Sequence, residues 1–341
     1  MNAATTIQTA FVTGGSGYLG RNLIRQLRAR GIGVRALARS AAAGATVQAL
    51  GAEPVTGDLG NLAAMTAGMR GCDVVFHCAA SVSQWNDEAG AYAANVTGTE
   101  QALSACRAAG VPRFVHVSTE AVLAGGRPII QATEATPRPD RPVGLYPRTK
   151  GLAEERVLAA NGQDMAAIIV RPRLIWGNDD TTMLDSLIEA VRKGRFMWFD
   201  GGRYLTSTAH VDNVCAGLLA AAERGRGGEI YFITDGEPVQ LRAFLTALLA
   251  TRGVTPGRRS IPRWLGGLIA AASEWAWRIL PLPGEPPLTR ATFNLIGGEV
   301  TVIDEKARRE LGYAPVISRE EGLAAAQRAP GGASDQAVAH A

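Results

Sequence analysis

A phenol and an ammonium stand four residues apart in Tyr146-Pro147-Arg148-Thr149-Lys150, one turn of a helix, so both side chains share a face. A free tyrosine titrates near pH 10 and is a poor acid or base at neutral pH. A neighbouring ammonium favours the phenolate and is expected to bring that value toward the working range. The chain holds six tyrosines, and its lysines are Lys150, Lys193 and Lys306, so chance seldom places two at this spacing. Upstream, Ser118 and Thr119 follow an apolar run, Phe114-Val115-His116-Val117, and either hydroxyl could hydrogen-bond a reacting oxygen beside Tyr146. Taken alone, such a hydroxyl more often closes a turn.

The second chemical feature is Thr13-Gly14-Gly15-Ser16-Gly17-Tyr18-Leu19-Gly20. Gly14, Gly17 and Gly20 follow an apolar strand and open a helix, the context in which such glycines cradle a pyrophosphate. A carboxylate ending the next strand would read the ribose hydroxyls of NAD and repel a 2′-phosphate. Here Ala38 takes that position and Arg39 follows, which favours NADP because a guanidinium pairs with phosphate. If Arg39 is only a solvated surface residue, NAD stays open. Asp58, in Thr56-Gly57-Asp58-Leu59, ends a third strand and could accept from an adenine amino group or cap the following helix. His77 ends a fourth strand and reads as structural. Ala79 and Ala80 after it leave room for a cofactor.

These residues need a scaffold that puts several strand ends side by side. Over the first 170 residues strands and helices alternate. The expected strands are Ile7–Thr13, Gly33–Ala38, Glu53–Thr56, Asp73–His77, Arg113–Ser118 and Met165–Arg171. The expected helices are Tyr18–Arg30, Ala42–Leu50, Leu62–Met69, one around Tyr92–Ala109, and Tyr146–Ala160. Continuous β-branched runs between helices imply an α/β fold, a parallel sheet covered on both faces. Beyond Pro172 the pattern is less regular, although Val211–Arg224 and Glu229–Ile233 read as a helix and strand returning to the sheet. The expected organisation is a doubly wound dinucleotide-binding domain over 1–172 and 209–235. A smaller C-terminal substrate-binding lobe takes 173–208 and 236–329, and a mobile tail 330–341.

The bulk properties exclude several classes. Hydrophobic residues make up 47% and charged residues 19%, a globular composition. The net charge of +4 is spread without a dense basic run, so no nucleic-acid partner is expected. Cys72, Cys78, Cys106 and Cys215 lack the spacing of a zinc site or disulfide framework. Met1–Thr9 has no secretory pattern, and a cytoplasmic setting is expected. Arg263–Leu280 carries Trp264, Trp275 and Trp277, with Trp264, Leu268, Ala272, Trp275 and Ile279 at helical spacing. Packing on the core is preferred for this stripe, ahead of an apolar lid and of contact with a membrane surface.

Together the pieces resemble the extended short-chain dehydrogenase/reductases, part of the NAD-dependent epimerase/dehydratase superfamily. Besides the glycine turn and the Tyr146–Lys150 segment, they are Asp58-Leu59, His77-Cys78-Ala79-Ala80, Asn95-Val96-Thr97-Gly98-Thr99, Val117-Ser118-Thr119, Arg171-Pro172-Arg173 and His210-Val211-Asp212-Asn213. The resemblance implies a Rossmann sheet and a catalytic group of Tyr146, Lys150 and Thr119, with Ser118 as the alternative hydroxyl. It also implies cofactor contacts by Gly14, Gly17, Tyr18, Leu19, Gly20, Arg39, Asp58, Leu59, Ala79, Ala80, Asn95, Tyr146, Lys150 and Arg171. Gly201 through Asn213, Tyr231 through Pro238 and Pro286 through Arg290 look like the 3β-hydroxysteroid dehydrogenase-like branch. That branch implies hydride transfer to or from a bulky apolar alcohol or ketone, steroid-like or a long-chain β-keto compound, and a homodimer formed through helices. The alternative is a nucleotide-sugar epimerase. Dehydratases of this fold carry an Asp-Glu pair where this chain has Glu120-Ala121, and a cofactor-sensing regulator would need no Tyr/Lys pair.

Overall fold

The computed structural model describes residues 5–328 apart from 84, 86, 182, 281 and 283, so the expected tail over 330–341 lies outside the described residues. The chain begins β1 (Thr9–Thr13), α1 (Tyr18–Ala29), β2 (Gly33–Ala38), α2 (Ala41–Ala49), β3 (Glu53–Thr56), α3 (Leu62–Met69) and β4 (Val74–His77). It continues through α4 (Glu88–Tyr92), a π-helical turn over Ala93–Thr97, α5 (Gly98–Ala108), β5 (Arg113–Val117), β6 (Ile129–Ala132), α6 (Leu145–Ala160) and β7 (Ala166–Pro172). Next come β8 (Ile175–Trp176), α7 (Met183–Arg192), β9 (Trp198–Phe199), β10 (Leu205–Thr206), β11 (Ala209–His210), α8 (Val211–Arg224) and β12 (Ile230–Ile233). The remainder is β13 (Val239–Gln240), α9 (Leu241–Ala250), β14 (Ser260–Ile261), α10 (Arg263–Ile279), α11 (Arg290–Ile296), β15 (Val300–Val302), α12 (Glu305–Leu311) and α13 (Arg319–Arg328).

Seven strands form one sheet in the order β12-β7-β5-β4-β1-β2-β3, every pair parallel. The central strands are continuous apolar runs because helices cover both faces. Val74, Val75 and Phe76 of β4 and Phe114 and Val115 of β5 are wholly buried. Each such side chain contributes about 1.5–3 kcal/mol by leaving water. The chain reverses its direction of travel across the sheet between β1 and β4, which opens a crevice at their carboxyl ends. A second sheet has the order β13-β10-β15-β6, while α8 and α12 pack with α1 on one face of the main sheet.

Most elements fall within a residue or two of the sequence reading. The helix expected around Tyr92–Ala109 is broken instead by the π-turn, whose extra residue rotates Asn95 inward, where it is 1% exposed.

A larger correction concerns α10. Its covered side is narrow and small, Gly266, Ala270 and Glu274, and rests on Phe199 and Phe293. Trp264, Leu268, Trp275 and Ile279, the stripe expected to face the core, are exposed. Only a glycine fits where α10 crosses Phe199, since a Cβ on Gly266 would lie 2.6 Å from that ring. The close approach therefore turns the bulky residues outward.

Candidate active site

The turn between β1 and α1 builds the first wall of a cleft of about 640 Å³. Gly14 has φ +70°, and a Cβ there would sit 2.6 Å from the backbone nitrogen of Ala79 at the end of β4. Gly20 is packed on the Gly14 carbonyl, so α1 begins directly against the strand. Gly17 precedes α1 with no side-chain cap, and no acidic residue occupies the first turn. The unpaired N–H groups of that turn and the positive helix end suit an anionic pyrophosphate. Tyr18 and Leu19 can contribute only backbone to this cradle, because both side chains pack into the core under the sheet.

Around the rim the cleft is lined by Arg39, Asp58, Leu59, Ala79 and Ala80. Arg39 is exposed at the end of β2 and makes no ion pair among the described residues. Asp58 accepts a hydrogen bond from Gly60 N at 2.9 Å. The cap of α3 is Asn61, whose Oδ1 accepts from Ala64 N at 3.0 Å, which corrects the capping role considered for Asp58. The residues fit a dinucleotide: glycines where a Cβ would fill the cradle, a bare helix end, and small residues on the opposite wall.

The second wall carries the hydroxyls. Tyr146 sits in the first turn of α6, half-buried, with Pro147 next to it where a missing N–H costs little. Its phenol lies near enough to the Thr119 hydroxyl for that group to oppose the rise in its pKa. Thr119 Oγ1 donates to Glu120 Oε2 at 2.9 Å and accepts from Ala121 N at 3.1 Å. Glu120 is in turn held by Arg173 at 2.8 Å in a buried ion pair. Of the two hydroxyls weighed, Thr119 is the one that acts on the Tyr146 phenol. Ser118 Oγ is buried with no hydrogen-bond partner among the described residues.

Lys150 lies on the same face of α6 and is 1% exposed. Its Nζ donates to the Val117 carbonyl at 2.7 Å and meets His116 Nε2 at 3.0 Å. Burial pulls its pKa down to about 8, opposed by the Glu154 carboxylate. The electrostatics of Tyr146 differ from the expectation. Burial pushes the phenol above its ordinary range, the Glu120 carboxylate adds to the rise, and the Thr119 hydroxyl only partly opposes it. Lys150 spends its ammonium on Val117 and His116 and does not offset this. At neutral pH Tyr146 is therefore a protonated phenol beside a partly titrating ammonium. It follows that kcat for a reduction needing charged Lys150 falls as pH rises through about 8, while Tyr146 keeps its proton. A pH profile of kcat checks this, and a flat profile between about pH 6 and about pH 10 would contradict it.

Two histidines that carry no surface signal support this wall. His77 and His116 are paired across adjacent strands and stack with centroids 5.4 Å apart. His77 bridges Thr13 at 2.8 Å and Thr99 at 3.1 Å, consistent with its structural reading. Burial holds both imidazoles neutral, so His116 can accept from Lys150. Cys78 lines the cleft and also faces Lys150, which joins the two walls. Asn95 fixes their spacing: it exchanges hydrogen bonds with the Ser81 backbone at 2.7 and 2.9 Å and donates to Thr149 Oγ1 at 3.0 Å.

Arg171 does not go where a cofactor contact was expected. It forms a buried bidentate pair with Glu154, at 2.7 and 2.6 Å, and lies over the Phe232 ring. A guanidinium so engaged tethers α6 to β7 and is not directed at the cleft. Sequence reading missed Glu154, Glu120 and His116. The recurrence of His77 and His116 at matching strand positions was the one available signal. All four cysteines are free, and no group of metal-binding side chains occurs among the described residues. No helix among them is long and apolar enough to cross a membrane.

Comparison with known proteins agrees with this geometry. The model of the 3-beta hydroxysteroid dehydrogenase/isomerase family matches residues 11–263. The chain is 54% identical to the 4-hydroxy-2-methyl-3-oxo-4-farnesyl-3,4-dihydroquinoline-1-oxide ketoreductase of Stigmatella aurantiaca, over 97% of this chain and 98% of that one. It is 36% identical to a 2-alkyl-3-oxoalkanoate reductase of Stenotrophomonas maltophilia, covering 92% and 96% of the two chains. Among solved structures, gox2253 superposes with a TM-score of 0.76 at 30% identity, over 93% of this chain and 97% of that one. On the match of the family model and these full-length relatives, the chain belongs to the 3-beta hydroxysteroid dehydrogenase/isomerase family, as an NAD(P)-dependent oxidoreductase acting on alcohol or ketone groups.

Proposed function

We propose that this protein reduces a ring ketone on a bulky, largely apolar substrate, with NADPH as reductant. The substrate class follows from the relative named for a 3-oxo-4-farnesyl-dihydroquinoline N-oxide, whose similarity runs the length of both chains. The observation that carries the reaction is the phenol of Tyr146, kept protonated by burial on the same helix face as Lys150 and near the Thr119 hydroxyl. Such a phenol is poised to give a proton, as reduction requires.

In this reading Tyr146 receives the carbonyl oxygen, joined by the Thr119 hydroxyl once its proton turns from Glu120 to the substrate. The cleft of Gly14, Gly17 and Gly20 would hold a reduced nicotinamide coenzyme, which would supply hydride for the carbonyl carbon. Tyr146 Oη gives its proton to the oxygen as the carbonyl becomes an alcohol. Lys150, whose charge is felt by Cys78 on the cleft wall, would hold the ribose hydroxyls of the coenzyme. Arg173 pairs with Glu120, and Glu120 holds the Thr119 hydroxyl at 2.9 Å before its proton turns to the substrate. A cavity of about 610 Å³ next to the start of α6 offers room for the substrate body. Trp85, Val143 and Leu145 give it an apolar part, while Glu88, Arg141, Arg148, Glu274, Arg278 and Arg290 make half of its lining charged.

The test is turnover of a 4-alkyl-3-oxo-dihydroquinoline N-oxide with NADPH, beside a 3-oxoalkanoate, a 3-ketosteroid and a nucleotide sugar. Preference for the quinoline ketone supports the reading, and turnover of the nucleotide sugar alone would overturn it. The choice of NADPH rests on Ala38 and on Arg39 at the cleft rim. Arg39→Asp is expected to lower the preference for NADPH over NADH by about 10–100-fold, since it removes a charged hydrogen bond and adds repulsion. The ratio of kcat/KM for the two coenzymes measures this. An unchanged ratio would mean that Arg39 does not read the phosphate.

A further inference from the structure

The outward face of α10 is uniformly apolar. Trp264, Leu268, Ala271, Ala272, Trp275 and Ile279 are all exposed and fall within one arc of the helix. Trp264 is 68% exposed and Trp275 64%, and the chain continues apolar through exposed Leu280 and Leu282. A protein surface facing only water rarely leaves two tryptophans and two large aliphatics in one stripe uncovered. Positive charge borders the stripe. Residues 251–290 hold six arginines and two glutamates. Glu274 is buried against Arg290, so it contributes no negative charge to this face. Arg258 and Arg259, just before the helix, and Arg278 in its last turn are exposed and have no carboxylate partner among the described residues.

We propose that α10 lies flat on an anionic phospholipid surface, with Trp264, Leu268, Trp275 and Ile279 in the headgroup–acyl boundary. Arg258 and Arg259, exposed just before the helix, would meet lipid phosphates. Tryptophan near each end of the stripe suits that boundary, where a ring sits in acyl chains and its N–H stays with the headgroups. Seventeen residues give a helix about 25 Å long, ample for an in-plane contact. A second copy is the poorer occupant. A two-fold pairing of this face would bring its arginines close together with no exposed carboxylate on the helix to compensate. This surface assignment does not rest on the identity of the ketone.

The experiment is flotation of the full-length protein with vesicles of phosphatidylcholine alone and with phosphatidylglycerol added, at low and high salt, alongside sedimentation velocity without lipid. Binding to the anionic vesicles at least tenfold above the neutral ones, and weakened by salt, is expected. The Trp264→Ser/Trp275→Ser variant should lose tenfold or more of that binding, and Arg258→Ser/Arg259→Ser severalfold. Both substitute exposed residues and should keep wild-type circular dichroism and coenzyme affinity. Absence of vesicle binding by the wild type would overturn the proposal. So would binding indifferent to the tryptophan pair, or a dimer that needs those tryptophans while vesicles float empty.

Discussion

Tyr146→Phe is expected to lower kcat for ketone reduction by about 10²–10⁴-fold while coenzyme Kd stays within about threefold. The asymmetry follows from where the phenol sits. Its oxygen lies near the Thr119 hydroxyl, on the side of the reacting carbonyl, and the residues lining the glycine cleft do not include Tyr146. Removing one oxygen takes away the proton donor and leaves the cradle of Gly14, Gly17 and Gly20 intact. Thr119→Val should cost less, about 10–100-fold, because it removes a hydrogen bond and leaves the acid in place. Steady-state kinetics with a fluorescence titration of the coenzyme separate the two quantities. Full activity in the phenylalanine variant would remove Tyr146 from the chemistry. A large loss of coenzyme affinity would move it to the binding cleft.

Arg171→Met should destabilise the fold by about 3–5 kcal/mol, the usual penalty for leaving one partner of a buried ion pair uncompensated. Glu154 is left unpaired inside the protein, 1% exposed and without the guanidinium that held both of its oxygens. The double variant Arg171→Met/Glu154→Leu should recover much of the loss, because two apolar residues replace the pair. Losing Glu154 also removes a carboxylate that supports the Lys150 charge, so the alkaline limb of the double variant should move to lower pH. Denaturant melts and a pH profile measure both effects. Unchanged stability together with weakened coenzyme binding would restore Arg171 to the cofactor role implied by family resemblance.

The parallel sheet was legible because buried strands have little freedom of composition. Val74-Val75-Phe76 and Phe114-Val115 have no other stable use in a globular chain. Glycines 14, 17 and 20 and the Tyr146–Lys150 spacing were legible for a similar reason, since few residue types satisfy those geometries. The π-turn at Asn95 was not, because one inserted residue leaves the surrounding helical pattern intact. Periodicity in α10 revealed a stripe but not which side would be covered. That was decided by the small-residue face Gly266, Ala270 and Glu274 approaching Phe199 and Phe293. Arg171 and Glu154 are 17 residues apart on different elements, and no local pattern links them. The Tyr146 phenol was misjudged for the same reason: burial and Glu120 outweigh a lysine whose ammonium is committed to Val117 and His116.

The most direct measurement is the fate of a deuteride. Reduced coenzyme labelled at C4 of the nicotinamide, on each face in turn, is supplied with the ketone to the wild-type enzyme. From one labelled face, the deuterium should appear on the new carbinol carbon, with one coenzyme oxidised per ketone reduced. Tyr146→Phe should transfer it at least about a hundredfold more slowly. Label that never reaches the carbinol carbon, or a product formed with no net oxidation of coenzyme, would contradict direct hydride delivery to a carbonyl held by Tyr146 and Thr119.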